Sequence, residues 1–134
     1  AHAAAGRAIW AECGGMMSLF DTLVTADGTA HRMWGLLPGR VTMQKRLSGL
    51  GPQQLDIGAL SLRGHTFHYS SCETPHPVAL RTAKPGAVQA VGIGEAVYEQ
   101  GALRASYFHA WFPSNPEAAA RLFLPEPLKE AHAL

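Results

Sequence analysis

The residues best suited to chemistry in this 134-residue chain are a cysteine set directly before two glycines and a histidine that closes an apolar run. Cys13 stands in "RAIWAECGGMMSLF", between the apolar stretch Ala8 to Ala11 and a second run rich in methionine and leucine. That order predicts a strand ending near Ala11, then the cysteine, then a helix starting near Gly14. A sharp strand-to-helix turn exposes the side chain at its apex, and small neighbours such as Gly14 and Gly15 keep the approach open. A helix N-terminus behind the sulfur would favour thiolate. The N–H of the following residue would point at a developing oxyanion, which makes Gly14 the candidate donor. The competing reading of Cys13 is a small buried hydrophobe.

A nucleophilic cysteine needs a base. Two segments could supply one: "RGHTFHYS", with His65 and His68, and "ASYFHAWF", with His109. Residues three apart on a regular strand face opposite ways, so His65 and His68 are not expected to act together. His109 comes just before "FPSNP", at the kind of strand-end loop where catalytic side chains gather; its alternative is a half-buried ring satisfied by a backbone carbonyl. His65, His68 and Cys72 have a spacing that could hold zinc, but the split of the histidines and the lack of a fourth ligand nearby leave no metal site expected. His31, His76 and His132 fall in turn-like or terminal contexts and read as solvated. Trp10, Trp34 and Trp111 read as core or interface aromatics.

The elements that must hold these residues follow from pattern. "AIWA" reads as a buried strand and "GGMMSLFDTLV" has helical apolar spacing. Asp27-Gly28 marks a hairpin turn, followed by a strand and loop over residues 31–39. Residues 47–54, "LSGLGPQQ", read as a loop, and residues 58–73 carry strands on both sides of Gly64. The proline-rich segment 74–86 reads as irregular edge structure. Residues 88–112 form a hairpin with its turn at Gln100-Gly101. Pro116 after Asn115 opens the clearest helix, "EAAARLFL", which Pro125 and Pro127 end.

Composition bounds the rest. With 47% hydrophobic and 16% charged residues and a formal net charge of +1, the chain describes one ordinary globular unit. The charges form no block of one sign, so neither nucleic acid nor an anionic membrane is an expected partner. No apolar stretch reaches the roughly 18 residues of a spanning helix, and no signal-peptide pattern opens the chain. The expected compartment is the cytoplasm, with Cys13 and Cys72 as free thiols.

Four stretches in order, "AECGGMMSL", "GLLPGRVTMQKRLSGLG", "RGHTFHYS" and "ASYFHAWFPSNPEAAARLFL", resemble the C-terminal part of the cobyrinate a,c-diamide synthases of cobalamin biosynthesis. The resemblance covers nearly the whole chain. It implies an α/β fold, the C-terminal part of a class I glutamine amidotransferase-like (flavodoxin-like) domain: an elbow, a β-rich segment and a C-terminal helix. It further implies that Cys13 is the nucleophile that attacks glutamine and His109 the histidine that activates it. The ammonia released would amidate the a- and c-carboxylates of a corrinoid. Residues 1–134 would then be the later portion of a glutaminase domain, without its earlier half and without an amidoligase domain that uses ATP and Mg; no cofactor is expected on this segment itself. The chain departs from the family pattern at Thr66, where glutamate is usual, at Trp111, where a second histidine is usual, and at Leu50-Gly51-Pro52, where Leu-Gly-Tyr is usual. Trp111 also occupies the position two after His109 where other glutaminases carry a glutamate. Glu12 is the nearest acid in sequence, but a residue beside the nucleophile on an extended strand points away from it, so the third catalytic role has no candidate. A second reading takes Cys13 as packing and the chain as a degenerate glutaminase-like module that meets a partner domain.

Overall fold

The computed structural model describes residues 1–87 and 93–130. Strand β1 (Ile9–Glu12) runs through Cys13 into α1 (Gly14–Met17). There follow β2 (Thr22–Val24), β3 (Ala30–Arg32), β4 (Arg40–Met43), β5 (Gly49–Ile57), β6 (Leu60–His68), β7 (Ser70–Glu73), β8 (Val78–Arg81), β9 (Ala96–Gln100), β10 (Leu103–Ser106), β11 (His109–Ala110) and α2 (Pro116–Arg121). This is the expected mixed α/β arrangement of an elbow, a β-rich segment and a C-terminal helix.

Three sheets carry the strands, in the orders β1-β10-β9-β8, β11-β6-β5 and β3-β2-β4-β7. The pairing that matters most for the site is β1 with β10, parallel, with Ile9 opposite Leu103 and Glu12 opposite Ser106. Ser106 then holds the short connection into β11: its hydroxyl donates to Ala96 O (2.8 Å) and accepts from Phe108 N (3.1 Å). One apolar cluster packs α1 on the first sheet through Met16, Leu19, Phe20 and Ala105; a second packs α2 through Leu55, Leu62, Phe108 and Leu122.

Several elements depart from the sequence pattern. The helix after Cys13 is a single turn, because the chain folds back at Ser18, whose hydroxyl donates to Gly15 O (2.7 Å), and the β-branched Thr22 and Val24 enter a strand. Residues expected to form a loop at 47–54 are largely strand β5. Its Pro52 is tolerated because β5 ends the sheet order: β6 pairs it on one side, and beyond that it is met only by an isolated bridge between Gln54 and Ala83. Gly64 lies inside one continuous strand rather than between two. The proline-rich segment carries β8 at a sheet edge, with a bulge between Val78 and Leu80. The hairpins at Gly28 and Gly101 form where expected; residues 88–92, read as part of the second, lie outside the described residues.

Helix α2 begins as its residues dictate, with Asn115 Oδ1 accepting from Ala118 N (3.0 Å) and Pro116 in the first turn. Its C-terminal end is closed by a side chain from β10. The guanidinium of Arg104, fully buried, donates to Glu99 Oε2 (2.7 Å), to the carbonyls of Arg121, Leu122 and Leu124 (3.2, 2.9 and 2.7 Å) and to that of Glu126 (2.6 Å). Carbonyls at a helix end have no partner within the helix, and one planar cation with five donors supplies several of those here at once. Arg104→Met, close in length but without donors, removes the cation beside Glu99, which keeps only the Leu128 N–H, and takes the guanidinium donors from four carbonyls. Urea unfolding should show it destabilised by about 3–5 kcal/mol, the usual loss when one partner of a buried charged pair is removed.

Candidate active site

Cys13 stands at the apex of the β1–α1 turn with φ 46° and ψ −109°, the one non-glycine residue at positive φ among the described residues. A non-glycine residue is held there only by surroundings that over-determine it. Here the Cys13 N–H donates to Ser106 O (2.8 Å) and Cys13 O accepts from Met17 N (2.9 Å), so β10 fixes one side of the peptide and α1 the other. The thiol faces β6, with Sγ 3.8 Å from Phe67 O. Gly14 and Gly15 are exposed and leave the approach open.

His109 also reaches this part of β6. In the register of β11 on β6 it lies opposite His65, two residues from Phe67, and its ring stacks on that of His65 with centroids 4.8 Å apart and planes 8° from parallel. Gly64 permits this approach, since a Cβ there would collide with His109 O and the Phe108 ring. Leu50, Gly51, Pro52, Thr66 and Phe67 join the two histidines around an open cleft of about 540 Å³. Glu12 also reaches β11. Its Oε1 accepts from Trp10 Nε1 (2.7 Å) and from Ala110 N (3.0 Å), while Oε2 lies 3.8 Å from His109 Nδ1. The expectation that Glu12 points away from the site is therefore corrected: alternation assumes a continuing strand, and the strand ends at the Cys13 turn.

His68 faces the opposite side of β6, as its spacing from His65 requires. Its Nδ1 contacts Ser70 O and its Nε2 contacts Glu95 Oε1, both at 2.9 Å, and its ring stacks on Tyr107 at 3.7 Å. Thr66 donates to the same Glu95 oxygen (2.6 Å). Burial pushes the Glu95 carboxyl up, but the hydrogen bonds from His68 and Thr66 outweigh it and hold the group below the usual glutamate range. Thus beside Thr66, where the family pattern has its own glutamate, a carboxylate arrives from just before β9. Sequence reading missed Glu95, which is distant along the chain and sits in no local motif.

The electrostatics of Cys13 correct a second expectation. Burial pushes the thiol up from the ordinary cysteine value; the Gly14 N–H pulls it down, and the charges of Glu95 and Glu12 push it further up. The net direction is upward. A helix of one turn has too little dipole to reverse this. At rest Cys13 is a thiol, and chemistry at its sulfur requires a base.

His65, His68 and Cys72 are not brought together. His65 faces His109, His68 faces Glu95, and Cys72 contacts the hydroxyl of Tyr98 (4.0 Å). Both cysteines are free thiols. His76 is half-buried rather than solvated, with Nε2 on Glu99 O (2.9 Å); His31 is exposed, and His132 lies outside the described residues. Of the tryptophans only Trp10 packs on a core cluster; Trp34 and Trp111 are largely exposed.

Residues 1–117 match the model of the CobB/CobQ-like glutamine amidotransferase domain. The chain belongs to this family. Among its relatives is the cobyrinate a,c-diamide synthase of Herminiimonas arsenicoxydans, 52% identical over 119 residues that cover 88% of this chain and 26% of that protein. The hydrogenobyrinate a,c-diamide synthase of Pseudomonas aeruginosa is 47% identical over 126 residues, 93% of this chain and 28% of that protein. The cobyrinate a,c-diamide synthase of Salmonella typhimurium is 38% identical over 135 residues, 89% and 29%. The chain thus spans little more than a quarter of these relatives' length. Among the described residues no helix is long and apolar enough to cross a membrane.

The raised thiol sets a test of this family member's resting state. Alkylation by iodoacetamide, followed at the Cys13 peptide by mass spectrometry, should be slower at neutral pH than that of an unstructured cysteine peptide. Its midpoint should lie at higher pH than the peptide's, because a raised pKa lowers the thiolate fraction at every pH below it.

Proposed function

We propose that this chain is the glutaminase part of a cobyrinate or hydrogenobyrinate a,c-diamide synthase, with Cys13 as nucleophile and His109 as its base. The observation that carries the reading is the strained Cys13 turn, which a packing cysteine has no need to adopt, in a chain of the glutamine amidotransferase family. In the reaction proposed, His109 takes the Cys13 proton as the sulfur attacks the side-chain amide carbon of glutamine. The tetrahedral oxyanion meets the Gly14 N–H. Its collapse breaks the C–N bond, and His109 returns the proton to the leaving ammonia. Water then attacks the thioester with His109 again taking a proton, and the C–S bond breaks to give glutamate and the free thiol.

The ammonia would pass to a carboxylate of the corrinoid, activated with ATP and Mg²⁺ in an amidoligase part outside these residues. In the same reading residues 1–134 are the later portion of one glutaminase domain, and the second oxyanion donor comes from the part before it. One missing donor is worth roughly 10²–10³ in turnover, so these 134 residues alone should hydrolyse glutamine negligibly. The second reading, a non-catalytic module, draws on Trp111 in the place of an acid and on the raised thiol.

One experiment separates the two. In the full-length gene product that carries this chain, Cys13→Ala should abolish glutamine-dependent amidation and leave amidation from added ammonia largely intact. His109→Ala should do nearly the same, since a thiol raised above its ordinary value has little thiolate without a base. Equal loss of both reactions, or retention of both, would favour the module.

A further inference from the structure

We propose that Glu12 positions His109, completing a Cys13–His109–Glu12 relay in which the acid comes from the residue before the nucleophile. The proposal rests on the reading of Cys13 and His109 as the reacting pair. Its basis is the way the two oxygens of one carboxylate are divided. Oε1 is clamped by two fixed N–H donors, the indole of Trp10 at 2.7 Å and the backbone of Ala110 at 3.0 Å. The second clamp belongs to the residue directly after His109, so the carboxylate is registered to β11 itself. Oε2 is left facing His109 Nδ1 at 3.8 Å. That separation is a charge contact rather than a hydrogen bond, and catalytic bonds of this kind often tighten only when substrate is bound.

The ring is held from a second direction by the stack on His65, which fixes its plane while Glu12 addresses its edge. Among the described residues Glu12 is the one carboxylate at ion-pair distance from His109. Glu95 is engaged with His68 and Thr66, and position 111, two after the histidine, is tryptophan. A carboxylate at Nδ1 keeps the proton on that nitrogen. Nε2 then stays unprotonated to receive the proton of Cys13, and the imidazolium that forms is stabilised by the anion. Glu12 touches neither thiol nor substrate in this scheme; it acts through His109.

The test uses the full-length protein and Glu12→Gln, whose carbonyl oxygen still accepts from Trp10 and Ala110 while its amide replaces the anion at Nδ1. Glutamine hydrolysis should lose about 10²-fold in kcat, the low end of a general-base contribution, with KM for glutamine within about threefold. Ammonia-dependent amidation should be unchanged. In histidine labelled with ¹⁵N, His109 should carry its proton on Nδ1 in the wild type and move toward Nε2 in E12Q. A kcat loss under about threefold, or a wild-type His109 protonated on Nε2, overturns the proposal; the second measurement decides even where E12Q fails to fold. Full glutaminase activity in Cys13→Ala or His109→Ala would instead overturn the reading beneath it.

Discussion

The parallel pairing of β1 with β10 is the constraint on which the candidate site depends. It aligns Glu12 with Ser106, and the first peptide beyond the ladder, that of Cys13, continues it by donating to Ser106 O. This bond holds the backbone at positive φ and turns the thiol toward β6. The same Ser106 uses its hydroxyl to set the connection from β10 into β11, and so sets where His109 begins. The proposed nucleophile and base are thus both positioned by one residue, through its carbonyl for Cys13 and its side chain for the approach to His109. Arg104, two residues earlier on β10, ties the same strand to the end of α2, so the strand that carries both alignments is anchored in the second apolar cluster.

The parts of this arrangement legible in the sequence are those whose signal is local. An apolar run, a cysteine and two glycines are enough to place the elbow, because a sharp turn limits which residues can stand beside it. Asn115-Pro116 places the start of α2, because capping chemistry is a matter of neighbouring residues. Strand β5 was illegible because its Gly49, Gly51 and Pro52 have the composition of a loop; pairing with β6 on one side overrides that composition. Glu12 was illegible because side-chain alternation is a rule about continuing strands. Glu95 was illegible because nothing near it in sequence announces Thr66 and His68, which it meets only after folding.

The charges of two carboxylates, Glu95 and Glu12, both push the ionisation of the Cys13 thiol up. Each is held by fixed partners: Glu95 by His68 and the Thr66 hydroxyl, Glu12 by the N–H groups of Trp10 and Ala110, with its second oxygen toward the edge of His109. Negative charge near a thiol opposes spontaneous thiolate. Under the proposed function, this balance means a site that makes its nucleophile on demand rather than storing it. Such a thiol reacts little with general electrophiles or oxidants until a substrate brings base and sulfur into line.

The β1–β10 ladder also has a consequence in time. Roughly ninety residues separate the partner strands along the chain, and a ribosome adds about 5–20 residues per second, so β1 leaves synthesis on the order of ten seconds before β10 exists to pair with it. During that interval no Ser106 carbonyl holds the Cys13 peptide, and nothing compels the backbone into a left-handed conformation. The elbow therefore cannot form until β10 has been made, although its own residues precede that strand by roughly ninety positions. A nascent chain interrupted anywhere before Ser106 carries the cysteine but not its geometry.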